Sequence, residues 1–217
     1  MDYAIARTKM VDNQLRTNKV TDLRLLEAFE TIPRELFVPE DKRGIAYVDE
    51  DIEIAEGRYL MEPMVLARLL QAAAIEPGDV VLDIGCGTGY ASAILARLAA
   101  TVVALEDNES LASHATRTLS DLGLDNVVVI EDPLTGGYAK QAPYNVILIG
   151  GAVAEVPAAI NRQLGEGGRM VTVIRDGAGL GQARLMQRAG EVVSQRFLFD
   201  AGTPYLPGFT PEPGFVF

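Results

Sequence analysis

The sequence predicts an α/β protein with a doubly wound, mostly parallel sheet, and three observations lead to this prediction. The apolar run at residues 80–84 is typical of a strand buried on both faces. It ends in glycines at alternate positions, Gly85, Gly87 and Gly89, and apolar residues at helical spacing follow them. Strand and helix patterns then alternate along the chain. Together these features predict a Rossmann-like sheet of the nucleotide-binding type.

Residues 1–78 are interpreted as an N-terminal helical cap on this sheet. Thr21-Asp22 is expected to cap a helix over 23–29, which Pro33 closes. The length and the 48% hydrophobic content suit one substantial core, so we expect a single domain over residues 1–217. Its parts are the cap with a loop at 1–78, the sheet core at 79–200 and a proline-rich tail at 201–217.

Downstream of the glycines, the periodicity predicts the remaining elements of the core. A second strand spans 102–105, and a helix is lined by Leu111, Ala115, Leu119 and Leu122. Further strands are expected at 127–130, 146–149 and 170–174, with a helix over 156–164 before the last of them. The segments 184–187 and 192–199, joined through Ala189-Gly190, predict a closing antiparallel hairpin. The tail from Thr203 carries four prolines and is expected to be irregular.

Charge and cysteine content exclude several classes of protein. The formal net charge is -11, which disfavours a protein that grips nucleic acid, because such binding needs clustered Lys and Arg. The single cysteine, Cys86, excludes an internal disulfide framework and fits a reducing compartment. With neither a long apolar run nor a basic-then-apolar leader pattern, we expect a cytoplasmic protein that does not enter a membrane.

The glycine turn and the following strand predict the ligand. Glu106 ends that strand about twenty residues beyond Gly85, where such folds place a carboxylate for ribose hydroxyls. The G-x-G-x-G spacing differs from the G-x-G-x-x-G of NAD and FAD proteins. A phosphate loop would follow its glycines with Lys and Ser or Thr, but Tyr90-Ala91 stand here. The ligand is therefore expected to carry a ribose without being a dinucleotide or a nucleoside triphosphate.

The string Asp83-Ile84-Gly85-Cys86-Gly87-Thr88-Gly89-Tyr90 resembles motif I of the Rossmann-like methyltransferases that use S-adenosyl-L-methionine. This resemblance implies a set of cofactor-binding residues. Asp83 would belong to the network around the methionine end, and Glu106 would hold the ribose. Asp132, after the third strand, would contact the adenine amino group. The glycines Gly85, Gly87 and Gly89 would let the backbone approach the ligand.

Further motifs make the chain similar to the protein-L-isoaspartate O-methyltransferase family over roughly residues 7 to 175. They occur in the family's order and are Ile32-Pro33-Arg34-Glu35-Leu36-Phe37-Val38-Pro39, Ala46-Tyr47-Val48-Asp49, Glu131-Asp132, Ala142-Pro143-Tyr144-Asn145, Val156-Pro157 and Gln163-Leu164 before Gly167-Gly168. The resemblance implies methylation of an isoaspartyl carboxylate on a damaged protein or peptide, which would then cyclise to a succinimide.

Two positions depart from that family. Its Gln-Thr-Ile-Ser-Gln-Pro loop is Arg58-Tyr59-Leu60-Met61-Glu62-Pro63 here, so Met61 stands at the position of the active-site serine. A thioether donates no hydrogen bond to a carboxylate, so Met61 is not an equivalent. Arg58 is a candidate to pair with an incoming carboxylate instead. Asn145 replaces the family's usual Asp and is expected to lower cofactor affinity modestly.

The expected chemistry needs neither a metal nor a general base. A carboxylate acceptor with a pKa near 4 is already ionised at neutral pH, and the only histidine, His114, lies at an outward helix position. Cys86 has no visible base or metal partner, so we assign it no catalytic role. Two alternatives stay open. Besides isoaspartyl methylation, the sequence is compatible with a methyltransferase retargeted to another protein or small-molecule acceptor, and with a non-catalytic protein that binds S-adenosylmethionine.

Overall fold

A computed structural model describes residues 2–177 and 179–211. Its strands are β1 (Ile52–Ala55), β2 (Arg58–Leu60), β3 (Val80–Ile84), β4 (Thr101–Glu106), β5 (Val127–Glu131), β6 (Tyr144–Val153), β7 (Leu164–Ile174), β8 (Gly181–Ala189) and β9 (Val192–Ala201). Its helices are α1 (Tyr3–Met10), α2 (Leu23–Thr31), α3 (Pro63–Ala73), α4 (Tyr90–Ala96), α5 (Glu109–Asp121) and α6 (Ala158–Asn161). None of the described helices is long and apolar enough to cross a membrane.

Seven strands form the main sheet in the order β5-β4-β3-β6-β7-β8-β9. The first five run parallel, and β8 and β9 pair antiparallel at one edge. The chain winds outward from β3 through β4 and β5 on one side and then returns to β6 and β7 on the other. Such a reversal opens a crevice at the carboxyl end of the central strand. The predicted doubly wound sheet and its closing hairpin are confirmed.

Alternate residues of the parallel strands face two separate apolar layers. Val81, Val102 and Val146 pack on the side that holds α3, α4, α5 and the N-terminal helices. Leu82, Val103 and Ile147 pack on the other side, against Ile160 of α6 and the tail residues Leu206 and Phe209. Because both faces of β3, β4 and β6 are buried, these strands carry the continuous apolar runs that identified them.

The N-terminal region is only partly helical. Helix α2 starts as predicted, since the Asp22 carboxylate accepts hydrogen bonds from the backbone N–H groups of Arg24 and Leu25. The prediction of a helical cap with a loop missed residues 52–60, where β1 and β2 form an antiparallel hairpin. Gly57, with a φ of +67°, makes its turn. Strands of three and four residues carry too little alternation to be recognised.

Two further boundaries differ from the prediction. The helix expected over 156–164 shrinks to the four residues of α6, and β7 begins at Leu164 rather than after the Gly167-Gly168 turn. Residues 203–211 of the tail form no regular element, as predicted, but Tyr205 makes an isolated parallel bridge with Ala152. Residues 212–217 of the predicted tail lie outside the described residues.

Arg34 joins the cap to the sheet core. Its fully buried guanidinium donates to the carbonyl oxygens of Ala46 at 2.7 Å and Met61 at 2.8 Å, and it lies 4.8 Å from the centre of the Tyr90 ring. Burial lowers the pKa of Arg34 from its usual value, and the interaction with Tyr90 opposes this. One side chain thus fixes the cap, the Met61 loop and the first turn of α4.

The substitution Arg34→Ala is expected to lower the free energy of unfolding by about 2–4 kcal/mol, because two buried carbonyls lose their donor and a cavity forms. Urea denaturation at neutral pH measures the effect. Arg117→Ala, on the exposed side of α5, is the matched control and should change stability by less than about 0.5 kcal/mol. Equal losses in the two variants would contradict the role given to Arg34.

Candidate active site

The carboxyl ends of three parallel strands bring the predicted cofactor residues to one edge of the sheet. Gly85 follows β3, Glu106 ends β4 and Asp132 follows β5. The Gly85 N–H donates to the Leu105 carbonyl at 2.8 Å, and the Asp132 N–H donates to the Glu106 carbonyl at 3.2 Å. Residues separated by more than forty positions in sequence are therefore neighbours at the crevice of the sheet.

The three glycines of the turn all have left-handed backbone conformations, with φ of +75° at Gly85, +58° at Gly87 and +96° at Gly89. Residues with a side chain adopt this region only under strain. Gly89 also lets two helices approach, because a Cβ on it would lie 3.1 Å from that of Ala115 in α5. Gly85 and Gly87 lie against the side chains of Leu206 and Ile54, with no room for a Cβ at either glycine.

Asp83 is fully buried behind this turn. Its Oδ2 accepts a hydrogen bond from the Ser92 hydroxyl at 2.6 Å, while its Oδ1 has no partner among the described residues. Burial raises the pKa of Asp83 to about 7; the Ser92 hydrogen bond acts to lower this pKa and the nearby Glu106 to raise it. A buried acceptor atom without a donor suits a ligand that brings its own donor group.

Glu106 is the most heavily bonded side chain of the site. Its Oε2 accepts from the Gly87 N–H at 2.7 Å, and its Oε1 accepts from the N–H groups of Asp107 at 3.1 Å and Asn108 at 3.0 Å. The guanidinium of Arg58 pairs with both oxygens, and its Nη1 also contacts Asp107 Oδ1 at 2.9 Å. The sequence suggested Arg58 as a partner for a substrate carboxylate. In the structure it is paired with Glu106, the residue expected to bind the ribose.

The loop that carries Met61 is held through its backbone. The Met61 carbonyl accepts from Arg34, the Glu62 N–H donates to Asp51 Oδ1 at 2.9 Å, and the Met64 N–H donates to Asp49 Oδ1 at 3.2 Å. The Met61 side chain is only 5% exposed. The loop is therefore fixed in place whichever side chain stands at position 61.

Several residues at the crevice were not predicted from the sequence. Gly150 lies so close to the turn that a Cβ on it would be 2.8 Å from the Gly85 carbonyl oxygen. The pair Gly150-Gly151 after a predicted strand was a usable signal for this close approach. Ile54 of β1 and Leu206 of the tail also lie against the turn, and no local pattern marked them.

Asn145 corrects an expectation. Its Oδ1 accepts from the Val80 N–H at 2.8 Å, where β3 and β6 begin. The glycine turn lies at the other end of those strands, so Asn145 joins two strands at the edge of the sheet away from the site. The expected decrease in cofactor affinity from its missing charge is therefore not supported by the position of Asn145.

His114 and Cys86 supply no catalytic group. The His114 Nε2 lies 3.0 Å from the Leu36 carbonyl oxygen, which occupies that side of the ring. Cys86 is buried, and burial together with the neighbouring Asp83 and Glu106 raises the pKa of its thiol well above the usual value. Within residues 2–177 and 179–211, no group of three or more acidic, histidine or cysteine side chains could hold a metal ion.

Comparisons with known proteins agree with these observations. The family model described as protein-L-isoaspartate(D-aspartate) O-methyltransferase matches residues 6–201. A protein-L-isoaspartate O-methyltransferase of Koribacter versatilis is 44% identical over 169 residues, which are 78% of this chain and 76% of the relative. One from Methylorubrum extorquens is 36% identical over 195 residues, which are 90% of this chain and 85% of the relative.

Solved structures show the same fold. A protein-L-isoaspartate O-methyltransferase that is 26% identical superposes with a TM-score of 0.81, covering 93% of this chain and 66% of its own. A protein from Plasmodium falciparum, solved with S-adenosyl-L-homocysteine, gives a TM-score of 0.76 at 19% identity, covering 90% of this chain and 95% of its own. The chain therefore belongs to the protein-L-isoaspartate(D-aspartate) O-methyltransferase family, an enzyme family that uses S-adenosyl-L-methionine.

Proposed function

We propose that the chain transfers a methyl group from S-adenosylmethionine to the free carboxylate of an isoaspartyl residue in a damaged protein or peptide. The observation that carries the proposal is the family match over residues 6–201, which spans both the glycine turn and the Met61 loop. We further propose that residues 1–217 act as one domain with the division into cap, core and tail given above, and that it works in the cytoplasm.

The assignment of cofactor-binding residues within this proposal is Asp83, Gly85, Gly87, Gly89, Glu106 and Asp132. The left-handed glycines support the assignment, and so does Asp83 Oδ1, which has no partner within residues 2–177 and 179–211, because both suit a close-lying ligand with its own donors. When bound, the cofactor supplies an electrophilic methyl group on a sulfonium. The residues of the chain bind and orient the ligands and keep water away from them.

A carboxylate acceptor agrees with the side chains at the site. Its ordinary pKa is near 4, so it is ionised at neutral pH and loses no proton during methylation. A phenol or alcohol acceptor would call for a base near the acceptor oxygen. His114 is engaged with Leu36, and burial raises the thiol pKa of Cys86, so neither provides one. Neither His114 nor Cys86 therefore supports a phenol or alcohol acceptor.

The loop around Met61 favours a second candidate function, methyl transfer to a different acceptor. Burial raises the pKa of Glu62 to about 7, and nearby Asp49, Asp51 and Glu50 raise it too. A loop that already disfavours its own negative charge also disfavours an incoming carboxylate, and Met61 offers no donor to offset this. A protein that binds the cofactor without catalysis is the third candidate.

Transfer of a labelled methyl group from S-adenosylmethionine to matched isoaspartyl and aspartyl peptides tests the proposal. We expect selective labelling of the isoaspartyl peptide by the parent protein. Met61→Ser should raise kcat/KM by about ten- to a hundredfold, because a hydrogen bond to a charged group contributes about 1.5–3 kcal/mol. Met61→Ala is the matched control for loss of the thioether.

Two results of this assay would count against isoaspartyl methylation. Equal labelling of both peptides would show that the chain does not distinguish the isoaspartyl linkage. Absence of labelling by the parent and by Met61→Ser, with cofactor binding intact, would favour a different acceptor.

Glu62 also predicts a pH dependence of stability. Its pKa in the folded state, about 7, lies above the ordinary value of 4.5, so the folded state binds the proton more tightly than the unfolded state does. Stability is therefore lost as the pH rises from about 5 through about 7. Glu62→Gln should raise Tm at about pH 8 and change it little at about pH 5.

Thermal unfolding at the two pH values measures this difference. Glu56→Gln, on the exposed turn of the β1–β2 hairpin, is the matched control and should shift Tm equally at both. A Glu62→Gln variant whose Tm gain is the same at both pH values would rule out the proposed titration.

A further inference from the structure

The side chains of two segments lie directly on the glycine turn. A Cβ on Gly85 would be 2.7 Å from Cδ1 of Leu206, and one on Gly87 would be 2.7 Å from Cδ1 of Ile54. Glycines at such a turn leave room for a ligand to approach the backbone. In this structure that room is filled by the chain itself.

The acceptor capacity of Glu106 is also used up. A carboxylate offers about four lone-pair positions on its two oxygens. The N–H groups of Gly87, Asp107 and Asn108 and the guanidinium of Arg58 together direct five contacts at them. Arg58 is 5% exposed and Glu106 is 0% exposed, so the pair is shielded from water. No acceptor position remains for the hydroxyls of a ribose.

The cavity beside the Met61 loop is too small for a ligand. The cavity between Arg58, Met61, Gly150 and Leu206 has a volume of about 10 Å³. A single water molecule needs about 10–15 Å³ on the same scale. A ligand that contains a nucleoside therefore cannot occupy this cavity until some of these side chains move.

Both covering segments are attached by specific contacts. Ile54 and Arg58 belong to the β1–β2 hairpin. Leu206 belongs to the tail, which pairs with the end of β6 through Ala152 N–H to the Pro204 carbonyl at 2.8 Å and Leu206 N–H to the Ala152 carbonyl at 2.9 Å. The Tyr205 hydroxyl adds a hydrogen bond to the Arg175 carbonyl at 2.7 Å. The cover is thus built from backbone pairing as well as from side-chain contact.

We propose that Arg58, together with Ile54 and Leu206, is an intramolecular competitor of the cofactor: Arg58 takes the acceptor positions on Glu106, and a nucleoside ligand binds only after the hairpin and the tail have moved off the turn. This inference rests on the cofactor of the family and does not depend on which acceptor is methylated. The apparent dissociation constant is then the intrinsic one divided by the fraction of molecules that are open.

Calorimetric titration with S-adenosylhomocysteine, a ligand without a transferable methyl group, tests this competition directly. Arg58→Met keeps an apolar stem of similar length and removes every donor, while Glu106 retains its three backbone N–H groups. Leu206→Ala uncovers Gly85 from the other side. We expect each variant to bind at least about tenfold more tightly than the parent, and Arg117→Met on the exposed side of α5 to bind like the parent.

Hydrogen exchange gives a second readout that a merely structural role would not change. Addition of the ligand to the parent protein should speed exchange in residues 52–60 and 203–209 while it protects residues 85–89. An affinity that is the same in the parent and both variants would overturn the proposal, as would protection of all three segments. Absence of binding in all of the proteins would overturn it too. None of these outcomes depends on labelling of an isoaspartyl peptide, so the proposed function is tested separately.

Discussion

The carboxylate of Glu106 joins three segments that meet at the carboxyl edge of the sheet. It accepts the backbone N–H of Gly87 in the glycine turn and those of Asp107 and Asn108 after β4, and it pairs with Arg58 of the β1–β2 hairpin. A buried carboxylate is tolerated only when it is compensated in this way. The Glu106 carboxylate therefore ties both the glycine turn and the hairpin to the end of β4.

The parts of the fold that were predictable are those with a local signature. Parallel strands buried on both faces carry continuous apolar runs, and backbone positions with left-handed φ favour glycine, which is visible in the sequence. The topology of such a sheet then brings Gly85, Glu106 and Asp132 together without further information. This explains why the strands, the turn and the predicted cofactor residues could be located from the sequence.

The cover of the site had no such signature. Arg58 and Glu106 are 48 residues apart, and no sequence pattern around either residue indicates that the two are paired. The strands of the hairpin are too short to show alternation, and Leu206 is one apolar residue within a proline-rich stretch. Long-range pairing of charges and packing of an irregular tail depend on the assembled fold, so local patterns cannot predict them.

The Met61 loop shows how a side chain at the site can change while the backbone contacts that hold the loop are kept. Arg34 binds the carbonyl of Met61, and Asp51 binds the N–H of Glu62, so both contacts use backbone atoms of the loop. Neither contact uses the side chain of Met61. The family's serine could therefore be replaced by methionine with little consequence for the fold, and the chemistry of the loop was free to diverge.

The tail that covers the glycine turn is synthesised after the strands that form the site. Residues 203–209 follow every strand of the main sheet in the chain, yet they cover the turn that comes after β3. A ribosome that makes this chain delivers β3, β4 and β6 before it delivers Leu206. The residues of the glycine turn are therefore synthesised before the segment that covers them.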